Sequence, residues 1–171
     1  MPDAGDPEPA PRVAAELFDR DRPGAEIVET HVSTVVFEGD VAHKRKRPVH
    51  FAFVDLSTPE RRAEVCQREI EVNRRFSPDV YLGVEDVVDA AGNVVDHAVL
   101  MRRMPSERRL STLVAQRQDV RSCLRVVARQ MAAAHAGAAV SDEISTVATR
   151  DALEELWGGN LRELAPFVPR P

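Results

Sequence analysis

The stretch DVAHKRKRPV, Asp40 to Val49, contains both lysines of the chain, Lys44 and Lys46; every other Lys/Arg position is arginine. Immediately before it, β-branched residues flank Glu38-Gly39-Asp40, the composition of a β-hairpin with a glycine-bearing turn. Along a strand, residues two apart share a face, so Ala42, Lys44 and Lys46 look one way while His43 and Arg45 look the other. A small residue two positions before a lysine leaves a slot in which a flat group can lie while the ammonium reaches past it. Two simpler readings compete. One is a basic patch for nucleic acid or another phosphorylated surface, and the other is an edge strand kept soluble by its charge.

Working outward, AEIVETHV before the hairpin reads as a further strand, and Val13 to Phe18 as a short helix. MPDAGDPEPAPR, residues 1–12, is too poor in apolar residues to offset its ordering entropy and is expected to be a flexible tail. After Pro48 an apolar loop, HFAFVDL, leads to Ser57-Thr58-Pro59-Glu60. Serine three residues before glutamate, with proline in the first turn, predicts a capped helix running to about Arg75 and stopped by Ser77-Pro78. On it Val65, Ile70, Val72 and Phe76 mark the core-facing flank, and Glu69 lies on that flank. YLGVEDVVDAAGNVVDHAVLMRRMP reads as a second hairpin turning at Ala90 to Asn93. Its last strand, His97 to Met101, is nearly all apolar and so central. From Ser106 the pattern is helical: Leu110 to Gln118, then Asp119 capping a helix through about His135, then Ala152 to Trp157 and Leu161 to Phe167. The order of strands, helix, strands and then helices only predicts an α+β chain, with a tail over 1–12, a strand-rich part over 13–104 and a helical part over 105–171.

Composition excludes several classes. The chain has 171 residues, 43% hydrophobic and 30% charged, which fits one globular domain or one and a half small ones. A net charge of -5 opposes general nucleic-acid binding, because wholesale phosphate neutralisation calls for a basic domain. Cys66 and Cys123 have no ligand-like spacing and read as buried free thiols rather than a disulfide or zinc site. Without a leader-like segment or an apolar run of about 18 residues, the expected location is cytoplasmic, with no membrane partner.

Val41-Ala42-His43-Lys44 also fits V-A-x-K, the pattern that in protein kinases lies on the third strand and aims its lysine at ATP phosphates. There a helix follows with an inward glutamate, then two strands, then a hinge into a helical lobe, and these elements are predicted here in that order. Residues Val28 to Val84, with HAVLMRRMP after them, resemble the N-terminal lobe of the aminoglycoside phosphotransferase-like, protein-kinase-like bacterial proteins, some of them labelled gluconate kinases. The likeness is strong over about Val28 to Met104 and looser to Ala136. It implies a kinase-like N-lobe followed by the first helices of an incomplete C-lobe.

The resemblance also implies roles. Lys44 would contact the ATP phosphates and Glu69 would hold it, Lys46 being the alternative if the register shifts by one pleat. Ala42 would roof the adenine, Met101 would match the gatekeeper, and Arg102 and Met104 would be hinge residues reading the adenine edge through the backbone. Core filling is the other reading of both methionines. Ser33, with Thr34, stands where a phosphate-covering turn is expected, although the glycine-rich loop of protein kinases is missing.

The family's H-G-D type loop and its Mg²⁺-binding aspartate have no counterpart here, since none of His31, His43, His50, His97 and His135 begins an H-x-D. The implied cofactors are therefore ATP and Mg²⁺, with the Mg²⁺ ligands outside this chain. The implied partners are a small-molecule acceptor of unknown identity and a catalytic lobe or P-loop domain, also outside it. Two functions follow: the nucleotide-binding part of a small-molecule kinase, inactive by itself, or a non-catalytic lobe that binds a nucleotide or a protein.

Overall fold

The computed structural model describes residues 10–168. They fall into two units, which divide between Cys123 and Leu124. The first is built on a six-stranded sheet of β1 (Arg12–Ala14), β2 (Glu26–Glu29), β3 (Ser33–Glu38), β4 (Val41–Lys46), β7 (Tyr81–Val88) and β8 (Val94–Arg102), in the order β1-β7-β8-β4-β3-β2. All neighbours are antiparallel except β1 and β7. The two middle strands are β8, as its apolar run predicts, and β4. The hairpin between β3 and β4 turns on Gly39, whose φ of 53° is a left-handed conformation that glycine adopts without a Cβ clash.

Three local expectations are corrected. The 1–12 tail lies mostly outside the described residues, but Arg12 opens β1, an edge strand docked on β7 with Arg12 opposite Asp86. Only Ala15–Phe18 then form a 3₁₀ turn, burying Leu17 and Phe18. HFAFVDL is not a plain loop: β5 (His50–Phe51) and β6 (Val54–Asp55) pair in a small hairpin.

Helix α1 (Pro59–Asn73) begins one residue later than the capping box suggests. Thr58 is the cap, its hydroxyl accepting the Arg61 N–H at 3.4 Å, with Pro59 in the first turn. Ser57 instead donates its hydroxyl to Asp55. The buried flank of α1 is Arg62, Cys66 and Ile70, a spacing of four that follows the helical repeat. Val72 and Phe76 are exposed, contrary to the sequence reading. Cys66 and Ile70 pack on Val99 of β8, with Tyr81, Val84 and Met101 around them. On the opposite face Leu17, Phe18, Val36, Val87 and Ala98 form a second cluster. The sheet is thus covered on both faces in its middle. Beyond β8 the first unit adds α2 (Leu110–Ala115), shorter than the predicted Leu110 to Gln118.

The second unit is helical. Helix α3 (Arg121–Ala136), whose first residues belong to the first unit, has Asp119 receiving the Arg121 N–H at its start. Then come α4 (Asp142–Thr146), which the sequence reading lacked, and α5 (Arg150–Leu164), which joins the two short helices expected there. None of these helices buries a residue. No helix among the described residues is long and apolar enough to cross a membrane.

Candidate functional site: two lysines on one glutamate

Strand parity sends Lys44 and Lys46 to the face that α1 covers, and Glu69 comes down from the middle of that helix to meet them. Lys44 Nζ donates to Glu69 Oε1 at 2.8 Å, and Lys46 Nζ donates to the other oxygen, Oε2. The lysines differ in setting: the Lys44 side chain is 28% exposed, that of Lys46 only 8%. Glu69 is fixed in turn by its helix, where Asn73 Nδ2 donates to the Glu69 carbonyl at 2.8 Å. Glu71, the other glutamate of this turn, is exposed and pairs with Arg68 at 3.2 Å. Beneath the pair Cys66 is wholly buried, and that burial pushes its thiol pKa up to about 11. Cys66 is the buried thiol expected from the sequence, whereas Cys123 is exposed.

Burial alone raises the Glu69 pKa, but the hydrogen bonds and charges of Lys44 and Lys46 outweigh it and hold the carboxyl below its ordinary value of 4.5. A carboxyl with a depressed folded-state pKa adds stability that is fully present above its unfolded pKa and is lost as pH falls through the folded one. The parent protein should therefore be more stable than Glu69→Gln at neutral pH. That advantage should shrink as the pH drops below the ordinary value, as read from urea midpoints at a series of pH values. A gap that stays constant down to pH about 3 would contradict the ion pairing.

The other face of β4 carries a second set of charges that the sequence reading did not identify. His43 Nδ1 lies 2.7 Å from Glu85 Oε1, with both side chains buried. Asp96, fully buried, accepts from Arg45 Nε at 2.7 Å, from Arg62 Nε of α1 at 2.8 Å and from the His97 N–H at 2.9 Å. Arg62 Nη1 also donates to the Leu56 carbonyl at 2.9 Å, and the Arg45 guanidinium carbon lies 5.6 Å from the Phe18 ring centroid. The signal available beforehand was a basic central strand facing Glu85 and Asp96, acids embedded in otherwise apolar strands.

The remaining expected site residues are distributed along the same strands. Ala42 is buried and registers with Met101, which packs partly into the Cys66 cluster. Met104 is 56% exposed and so does not fill the core. The Arg102 N–H is used by the Val80 carbonyl at 2.8 Å, and the Arg103 N–H by the Asp40 carbonyl at 2.8 Å. The Arg102 amide proton is thus taken, which bears only on the N–H half of its expected hinge role and not on its carbonyl, and the Met104 N–H has no partner among the described residues. A cavity of about 430 Å³ opens beside Arg102, lined by Asp40, Val41, Leu82, Arg102 and Arg103. It includes Val41 rather than Ala42, and neither lysine.

Ser33 is corrected as well. It is 1% exposed, opposite Lys46 in the ladder, and its hydroxyl is enclosed without a hydrogen-bond partner among the described residues. The turn between β2 and β3 is made by Thr30, His31 and Val32, with the Thr30 hydroxyl accepting the Ser33 N–H at 3.0 Å. His31 packs edge-on against Phe51 of the β5–β6 hairpin at 6.1 Å. No three His, Cys, Asp or Glu side chains among the described residues converge in a way that could hold a metal ion.

No family model matches the chain, and no solved structure matches it. It is similar to uncharacterized mycobacterial proteins, among them Rv2004c of Mycobacterium tuberculosis and Mb2027c of Mycobacterium bovis. Each is 35% identical over 144 residues, covering 84% of this chain. The chain spans 29% of the length of these curated relatives.

Proposed function

We propose that the strand-rich unit is the nucleotide-binding lobe of a small-molecule phosphotransferase, in which Lys44, steadied by Glu69, contacts the phosphates of ATP. The observation that carries this reading is the 2.8 Å contact between a partly exposed lysine on a strand and a carboxylate on the next helix. That strand is the third of five antiparallel ones, α1 is inserted before the last two, and helices follow β8. This is the order that the kinase-like resemblance implies. The residues fit the phosphate end of ATP, since two ammonium groups meet one carboxylate. At the adenine end Met101 is the ladder partner of the small, buried Ala42, and the Met104 N–H is the hinge donor.

The γ-phosphate would pass to the hydroxyl of a small-molecule acceptor. The groups that orient that hydroxyl and hold Mg²⁺ are assigned to polypeptide outside these residues. The exposed apolar side chains of the helical unit, Leu153, Leu156, Trp157 and Leu161 among them, support its completion by further chain. The test is equilibrium binding of a fluorescent ATP analogue, with competition. ATP and ADP should displace it, adenosine should do so far more weakly, and an oligonucleotide of equal charge should not. The absence of saturable binding would contradict the reading.

A further inference from the structure

The chain has two lysines and both touch the same carboxylate, so the two cannot be doing the same work. Lys46 is shut in at 8% exposure, opposite the buried Ser33, and from there it reaches Glu69 Oε2. Lys44, one pleat along, is 28% exposed and reaches Oε1. The nearby buried carboxylate, Asp96, is already matched by Arg45 and Arg62. Two ammonium groups against one carboxylate leave one positive charge over, and the partly exposed lysine is the one placed to offer it.

We infer that Lys46 is a positioning residue: it is the standing counter-ion of Glu69, and by neutralising that carboxylate it leaves Lys44 free to exchange Glu69 Oε1 for an oxygen of an anionic ligand. This rests on the nucleotide-binding reading for the identity of the anion, which would be the di- or triphosphate tail. The pairing itself does not rest on it. With a single lysine, Glu69 would hold Lys44 as a closed pair of zero net charge, and an incoming phosphate would have to break that pair against a bare carboxylate. With Lys46 in place, the carboxylate keeps a partner when Lys44 leaves. Leaving a buried carboxylate without any partner is the costly alternative.

Having only two lysines makes the test clean. The full chain is treated with a limiting dose of an amine-acetylating reagent, and fragment mass spectra resolve position 44 from position 46. In the native protein Lys44 should react at least tenfold faster than Lys46, and the two should react equally in denaturant. Lys46→Met should slow acetylation of Lys44, because Glu69 then closes on it alone. Lys46→Arg should keep the Lys44 rate at or above the parental one, and Lys46→Met/Glu69→Gln should restore it. Affinity for Mg-ATP should fall about tenfold in Lys46→Met and stay near the parental value in Lys46→Arg. A Lys46 that reacts as fast as Lys44 would overturn the inference. So would a double variant in which Lys44 is acetylated no faster than in Lys46→Met, the result expected if Lys46 were only structural. If the labelling order holds while Mg-ATP neither binds nor protects Lys44, the counter-ion role stands and the nucleotide reading fails.

Discussion

Asp96→Ala should destabilise the sheet unit by about 3–5 kcal/mol, the loss expected when one member of a buried ion network is removed and its partner is left charged. The cost comes from Arg62 more than from Arg45. The Arg62 side chain is 6% exposed, with its guanidinium fixed between Asp96 and the Leu56 carbonyl, so it has no route to water. Arg45 is 31% exposed and can turn outward. Asp96 also ties the start of α1 to β4 and β8, so its loss should loosen the helix that carries Glu69. Glu29→Ala is the control: its pair with Arg20 lies at the surface, where such pairs contribute under about 1 kcal/mol. Urea denaturation of the two variants should separate them by several-fold in ΔΔG. A loss for Asp96→Ala as small as that for Glu29→Ala would contradict the network.

The sequence made the strand carrying the lysines legible, because period-two alternation and the Glu38-Gly39-Asp40 turn fix both its existence and its parity. It also placed Glu69 on the buried side of α1, but through the wrong neighbours. Val72 and Phe76 are exposed, and the flank that meets the sheet runs through Arg62, Cys66 and Ile70. A search for apolar periodicity passes over an arginine, so a buried arginine at the start of the helix was invisible to it. The same holds for His43 with Glu85 and Arg45 with Asp96, pairs separated by 42 and 51 positions whose partners are set by register rather than by local pattern. Ser33 illustrates the converse. Its position near the turn was legible, but its burial depends on the neighbours that fold over it.

Lys44→Arg should keep the fold and the charge yet weaken Mg-ATP binding tenfold to a hundredfold, the loss of one charge-assisted contact of roughly 1.5–3 kcal/mol. A guanidinium is a planar fork that engages both oxygens of a carboxylate at once, so at position 44 it would compete with Lys46 for Glu69 and stay there. An ammonium is a compact point charge on a flexible stem. It can hold one Glu69 oxygen at 2.8 Å and still turn toward phosphate oxygens. On the nucleotide-binding reading proposed above, this is the reason for lysine at position 44 in a chain that otherwise uses arginine. Arg45→Lys, on the opposite face, should leave the affinity unchanged. The most direct measurement is a calorimetric titration of Mg-ATP into the parent protein, Lys44→Arg and Arg45→Lys side by side. Saturable binding that drops at least tenfold in Lys44→Arg alone is the predicted result, and equal affinity in all three proteins, or no binding to the parent, would contradict it.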